Sequence, residues 1–147
     1  MIPKGILNTI VINDRIATSG QPSPNQFAEI ANADFTSVIN LAMPDSTNAL
    51  PDEGGFVSEV GMNYFHIPIP FDAPTRAHLS LFLKLMKTLE KEKIWVHCAL
   101  NWRVSAFMAH YQKGTLKLSE AERVPMLESW QPDEVWQEFL SLYAKKM

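Results

Sequence analysis

The chain has 147 residues, 46% of them hydrophobic, and no internal repeat, which fits a single domain over 1–147 with an ordinary core. A net charge of −3 and a pI near 5.8 exclude the polybasic surface that neutralises phosphate backbones, so no nucleic acid is expected as a partner. No stretch approaches the roughly 18 apolar residues of a membrane span, and one cysteine permits neither an intramolecular disulfide nor a cysteine-rich zinc site.

The opening residues, "MIPKGILNTIVIND", carry no small-residue cleavage site, and a soluble cytoplasmic protein is the expectation. The first candidate strands are a short pair, "TIVIN" and "RIATSG", which suit an antiparallel or edge position. Ser23-Pro24-Asn25-Gln26 has the form of a capping box with proline at the first helical position. Its missing N–H costs nothing there, so "PNQFAEIANA" is a helix ending near Asp34. "TSVINLA" (36–42) follows as a buried strand, and a weaker helix covers about 52–60, where Gly54 and Gly55 lower helix propensity. "YFHIPI" (64–69) is the next strand. From Thr75 to Glu92, Leu79, Phe82, Leu83, Leu85, Met86 and Leu89 recur at helical spacing, with lysines late in the run to suit the dipole. "KIWVHC" (93–98) closes the set of strands, and Val104, Phe107, Met108 and Tyr111 resume helical spacing after it. Two more helices are expected. One opens at the capping box Ser119 to Glu122, the other at Pro132-Asp133 ahead of Val135, Trp136, Phe139, Leu140 and Tyr143. Trp130 and Trp136 belong to the core or an interface. His66, His78, His97 and His110 show no metal-ligand spacing, so neither a metal nor a cofactor is expected.

Strands alternating with helices of these lengths imply right-handed crossovers and a mostly parallel sheet covered on both faces. Ligands of such sheets bind at the carboxyl ends of the strands. Cys98, in "VHCALNWRVS", lies at such an end, where a loop turns into a helix. Helix N-termini leave amide groups without intrahelical partners and are the positive end of the dipole, which suits an anion. The same field favours a thiolate: a free thiol's pKa of roughly 8.5 falls to about 3.5–7.5 in such places.

The run His97-Cys98, a short loop, Arg103 and Ser105 resembles the signature of the cysteine-dependent protein tyrosine and dual-specificity phosphatases. "SGQPS", "TSVINLAMPDS", "GMNYFHIPI" and "VHCALNWRVSAF" come in the order found in a bacterial branch of small phosphatase-like proteins, the DUF442 type. The resemblance covers nearly the whole chain. It implies a three-layer phosphatase-type α/β fold with a central mostly parallel sheet of four or five strands.

It also implies roles. Cys98 is the nucleophile, His97 an orienting neighbour, Asp72 in "PIPFDAPT" the general acid, and Ser105 the hydroxyl that stabilises the leaving thiolate. The loop residues Ala99, Leu100, Asn101, Trp102, Arg103 and Val104 surround the phosphate. Asp45 in "MPDS" is the lesser candidate for the acid, and a capping or turn role for Asp72 competes with catalysis. Ser19 and Gln21 either border the pocket or belong to a tight turn. Trp102 is either a rim for a substrate ring or packing for the loop.

The signature has five residues between cysteine and arginine, whereas this chain has Cys-x4-Arg. Aligned without a gap, Val104 takes the arginine's place, and Ser105 followed by an apolar helix favours that alignment. If the loop is instead one residue tighter, Arg103 faces inward. Three functions follow. The first is hydrolysis of a phosphomonoester, on a small molecule or a phosphoprotein, through a phosphocysteine. The second is a phosphate-binding pseudophosphatase. The third is a Cys98 persulfide, because a six-residue loop resembles that of some rhodaneses. The substrate's identity and the oligomeric state are open at this level.

Overall fold

A computed structural model describes residues 1–142 of the chain. Its strands are β1 (Ile10–Asn13), β2 (Ile16–Ser19), β3 (Ser37–Asn40), β4 (Asn63–His66) and β5 (Ile94–His97). They form one sheet in the order β1-β2-β5-β3-β4, antiparallel between β1 and β2 and parallel elsewhere. Between and after them run α1 (Pro24–Asn32), α2 (Glu53–Glu59), α3 (Arg76–Thr88), α4 (Trp102–His110) and α5 (Glu134–Leu140).

Alternation along β5 builds the layers. Trp95 points to the face covered by α1 and α2, with Phe27, Ile30 and Val57. Ile94 and Val96 point to the opposite face, with Leu79, Phe82, Met86, Phe107 and Trp136 from α3, α4 and α5. A central strand buried on both sides is therefore apolar throughout, as a parallel sheet requires. Each such side chain stabilises the fold by about 1.5–3 kcal/mol relative to exposure.

Local chemistry sets the boundaries. The Ser23 box forms, with Ser23 N–H donating to Gln26 Oε1 at 2.8 Å. Thr75 and His78 form another at the start of α3. β4 stops at His66 although Ile67 and Ile69 still donate to the Asn40 and Leu41 carbonyls, because Pro68 and Pro70 supply no N–H to continue the ladder. α3 ends at Thr88, short of the expected Glu92.

A second expectation fails. After Ser119 the capping box is present, but it opens a single 3₁₀ turn, Glu120–Glu122, and not a helix. None of its residues is buried, and Pro125 biases the residue before it to extended backbone, so nothing sustains further turns. Tyr143, expected on the last helical face, lies outside the described residues.

Among the described residues, no helix is long and apolar enough to cross a membrane.

Candidate active site

The segments after the carboxyl ends of β3, β4 and β5 converge on one cleft of about 610 Å³, whose lining includes Asp45, Asn48, Phe71, Asp72, Leu100 and Arg103. At its deep end a smaller pocket of about 150 Å³ meets Cys98, with Phe71, Leu100, Trp102 and Arg103 as walls. Cys98 is 1% exposed.

The loop after Cys98 is held from outside by residues far away in the chain. Cys98 N–H donates to the Ser19 carbonyl (3.3 Å), and Gln21 N–H donates to the Ala99 carbonyl (3.0 Å). Asn48 Nδ2 also donates to the Ala99 carbonyl, and Asn8 Nδ2 to that of Leu100, both at 3.0 Å. The Cys98 carbonyl faces His97 Nδ1 at 3.1 Å. In a planar trans peptide the N–H points opposite to the C=O. With these three carbonyls turned outward, the Ala99, Leu100 and Asn101 amides turn inward. Helix α4 adds its unpaired first amides from Trp102 onward, so the loop presents a concave array of donors to an anion.

Asn101 closes the turn in the left-handed region, φ 68° and ψ 17°, where asparagine is among the better tolerated residues. Its Nδ2 donates to the Asn8 carbonyl (2.8 Å) and Thr18 Oγ1 (3.0 Å). Gly20 explains the recurring "SGQP" segment: a Cβ there would stand 2.7 Å from the Ala99 carbonyl oxygen. The segment is a backrest for the loop: Ser19 and Gln21 bind its backbone from behind and line neither cavity.

Arg103, not Val104, lines both cavities. Its side chain is 5% exposed, Nη1 donates to the Ile69 carbonyl (2.9 Å), and the guanidinium lies over the Phe71 ring at 5.6 Å. Nε is buried without a hydrogen-bond partner. Val104, expected beside the phosphate, instead turns a fully buried side chain into the core with Cys98 and Phe107. The physical reason is helical phase: α4 begins at Trp102 after the Asn101 cap, so 103 turns to the pocket and 104, one position on, to the sheet.

Ser105 is buried, and its Oγ accepts the Leu127 N–H at 3.3 Å. Trp102 stacks on Trp130 (6.0 Å between centroids, 8° between planes) and packs on Phe71, so its ring serves the wall of the pocket. Trp136 Nε1 donates to the Phe71 carbonyl, fixing that wall to α5. Asp72 is exposed on the turn after β4 and borders the cleft, as does Asp45 on the loop after β3. Arg76 lies at a separate depression with Glu138. The cleft thus has one guanidinium at its floor and two carboxylates at its mouth.

Behind the loop is a polar group that no local sequence signal singles out. Glu53, at the start of α2 and 5% exposed, approaches His97 Nε2 to 2.5 Å with Oε2 and accepts Gln21 Nε2–H on Oε1 at 2.8 Å. Tyr64 adjoins the same carboxylate. Burial, with a smaller contribution from Glu53, pushes the Tyr64 hydroxyl up to about 12 against a lowering hydrogen bond from Asn40. In "PDEGG" Glu53 resembles any acidic residue of a first helical turn. His66 and His110 are partnered by the Ala42 and Phe139 carbonyls. Among the described residues, no group of three or more His, Cys, Asp or Glu side chains is placed to hold a metal ion.

No family model matches the chain. A curated relative, the "Beta-lactamase hydrolase-like protein" of Xylella fastidiosa, is 29% identical over 124 residues, 79% of this chain. The chain spans only 28% of that relative's length. Among solved structures, a DUF442 protein of Shewanella putrefaciens CN-32, described as a candidate phosphatase, superposes with a TM-score of 0.89 at 29% identity. That match covers 97% of this chain and 95% of the other. Tk-PTP in its active form shares the fold, with a TM-score of 0.75 at 22% identity over 95% of this chain and 98% of its own.

Proposed function

This chain is a phosphatase-like domain of the DUF442 type with the cysteine-phosphatase fold, and on that premise we propose that it hydrolyses a phosphomonoester through a covalent phosphocysteine on Cys98. In the first step the thiolate attacks phosphorus. The ester P–O bond breaks, and the leaving oxygen takes a proton from the Asp72 carboxyl group. In the second, water attacks the phosphocysteine, Asp72 takes back a proton, and the P–S bond breaks to release phosphate and thiolate. The loop amides and Arg103 hold the non-bridging oxygens throughout, where donors already in position stabilise the charge that develops. Ser105, whose oxygen already accepts from Leu127, retains its own proton to donate toward the departing sulfur.

The observation that carries this reading is Arg103. Arg103 lines the pocket that contains Cys98, is held by Nη1 on the Ile69 carbonyl and leaves Nε without a protein partner, so its guanidinium keeps charge-assisted hydrogen bonds to give. The displaced arginine of the sequence therefore supports phosphate binding, because the phase of α4 turns it to the pocket. The substrate is a phosphorylated small molecule or a phosphoprotein.

The test is hydrolysis of para-nitrophenyl phosphate by the purified protein and its Cys98→Ser variant. The expected outcome is turnover that the serine variant lacks while keeping its circular dichroism spectrum and melting temperature. Turnover retained by that variant would overturn the mechanism. A well-folded, inactive parent that still binds phosphate would leave the anion-binding module as the function.

A second reading has its own observation. The pocket at Cys98 is only about 150 Å³ and largely apolar, which suits a terminal sulfur on Cys98. In that reaction the thiolate attacks the outer sulfur of thiosulfate, the S–S bond breaks, and sulfite leaves. Mass spectrometry after thiosulfate treatment would show one added sulfur on Cys98.

A further inference from the structure

Glu53 is a fully enclosed carboxylate that the proposed chemistry does not use. It belongs to α2, on the opposite side of the sheet from the wall of aromatic rings, yet it reaches the residue next to the nucleophile. His97 is 0% exposed and has two neighbours in its ring plane, Glu53 Oε2 at 2.5 Å from Nε2 and the Cys98 carbonyl at 3.1 Å from Nδ1. A carbonyl oxygen only accepts. A carboxylate that already accepts from Gln21 Nε2 and adjoins the Tyr64 hydroxyl also has only acceptors to offer. With Glu53 ionised both ring nitrogens carry a proton, whereas a protonated Glu53 would donate to Nε2 and leave that nitrogen bare. Beside His97 in the sheet stand Ser19 and Asn40, and the Phe27 ring lies at 6.1 Å; Ser19 Oγ donates to the Gly20 carbonyl and accepts from Trp95 Nε1, while Asn40 is engaged with the Tyr64 hydroxyl and the Ala42 N–H, so neither competes for those protons.

We infer that Glu53 is a positioning residue which holds His97 with a proton on each ring nitrogen, so that Nδ1–H fixes the Cys98 carbonyl and thereby aims the Ala99 amide into the anion loop. Peptide geometry links the two groups. The Cys98 carbonyl and the Ala99 N–H share a plane and point in opposite directions. Whatever secures the carbonyl outward secures the donor inward. Gln21 ties the arrangement to the backrest segment, since its side chain binds Glu53 while its own N–H binds the Ala99 carbonyl. One carboxylate thus organises two successive peptide planes of the loop. The pairing also gives each buried group a partner in a site where an unpaired charge would be costly.

The consequence for turnover rests on the phosphatase reading, but the experiment does not need turnover. The protein labelled with ¹⁵N in histidine is observed by NMR at pH 7, beside Glu53→Gln, and inorganic phosphate is titrated as protection of Cys98 against iodoacetamide. The expected result is a His97 ring with both nitrogens protonated in the parent and only one in the glutamine variant. Phosphate protection should weaken on the order of 10-fold in that variant, the scale of one charge-assisted hydrogen bond. A parent His97 carrying a single ring proton would overturn the inference, and that measurement stands even if the variant does not fold. Phosphate protection unchanged in a folded Glu53→Gln protein would equally remove the positioning role. If the parent gains no protection from phosphate, the ring signature alone decides the state of His97, and the failure belongs to the phosphate reading of the pocket.

Discussion

Asn101 holds a left-handed conformation that costs an ordinary L-residue roughly 1–2 kcal/mol, and its amide adds two hydrogen bonds to the N-terminal segment. Its Oδ1 is buried without a hydrogen-bond partner. The residue thus trades one unsatisfied acceptor for a turn that lets the loop curve around its own amides. Substitution separates the two contributions. Asn101→Ala should destabilise the protein by about 2–4 kcal/mol, since it keeps the backbone strain and loses both bonds. Asn101→Gly should cost distinctly less, because glycine enters this region without a Cβ penalty. Urea unfolding of the two variants checks this, and equal losses would show that the side-chain bonds alone matter.

Between neighbouring residues, α4 decides what the loop can do. The helix begins at Trp102, and its phase sends Arg103 to the pocket while Val104 goes to the core. The two positions are about 100° apart, so a side chain at one cannot serve the other without turning the helix. The family signature places its arginine at 104 in a gapless alignment. Val104→Arg should therefore not restore a phosphatase but remove about 3–5 kcal/mol of stability, by burying an unpaired charge among Leu79, Phe107 and their neighbours. Thermal unfolding of the purified variant is the measurement. A variant as stable as the parent, with higher activity, would show that the helix can rotate and that the longer loop is accessible.

For the molecule as a whole, the contact of α4 with α5 links stability to pH. His110, in the last turn of α4, donates Nε2–H to the Phe139 carbonyl at 2.8 Å and meets the Phe139 ring edge-on. Burial draws its pKa below the ordinary 6.5, outweighing the backbone hydrogen bond, and Lys113 adds to the lowering. The unfolded chain then binds a proton at His110 more readily than the folded one. Its contribution is fully present above about pH 6.5 and is lost as pH falls through the lower folded value. Melting temperatures at pH 5 and pH 7.5 should show a larger acid loss for the parent than for His110→Gln. Equal losses would assign the acid sensitivity to other groups.

The sequence by itself determined the elements and their order. Short continuous apolar runs, the Ser23 box and the long apolar face of α3 are encoded within a few residues, and the alternation of strand and helix then leaves little choice but a parallel sheet with Cys98 at a strand end. Local signals misled only where burial did not support them, as in the lone turn after Ser119. The tertiary structure decided the geometry of the loop. Asn8, Gln21 and Asn48 bind its carbonyls across separations of tens of residues, and the phase of α4 sets which of Arg103 and Val104 lines the pocket. Glu53 and His97, 44 positions apart, pair only once α2 is docked. Such contacts leave no local trace, because a single polar residue in a loop or first helical turn has the same composition whether it faces water or a buried partner.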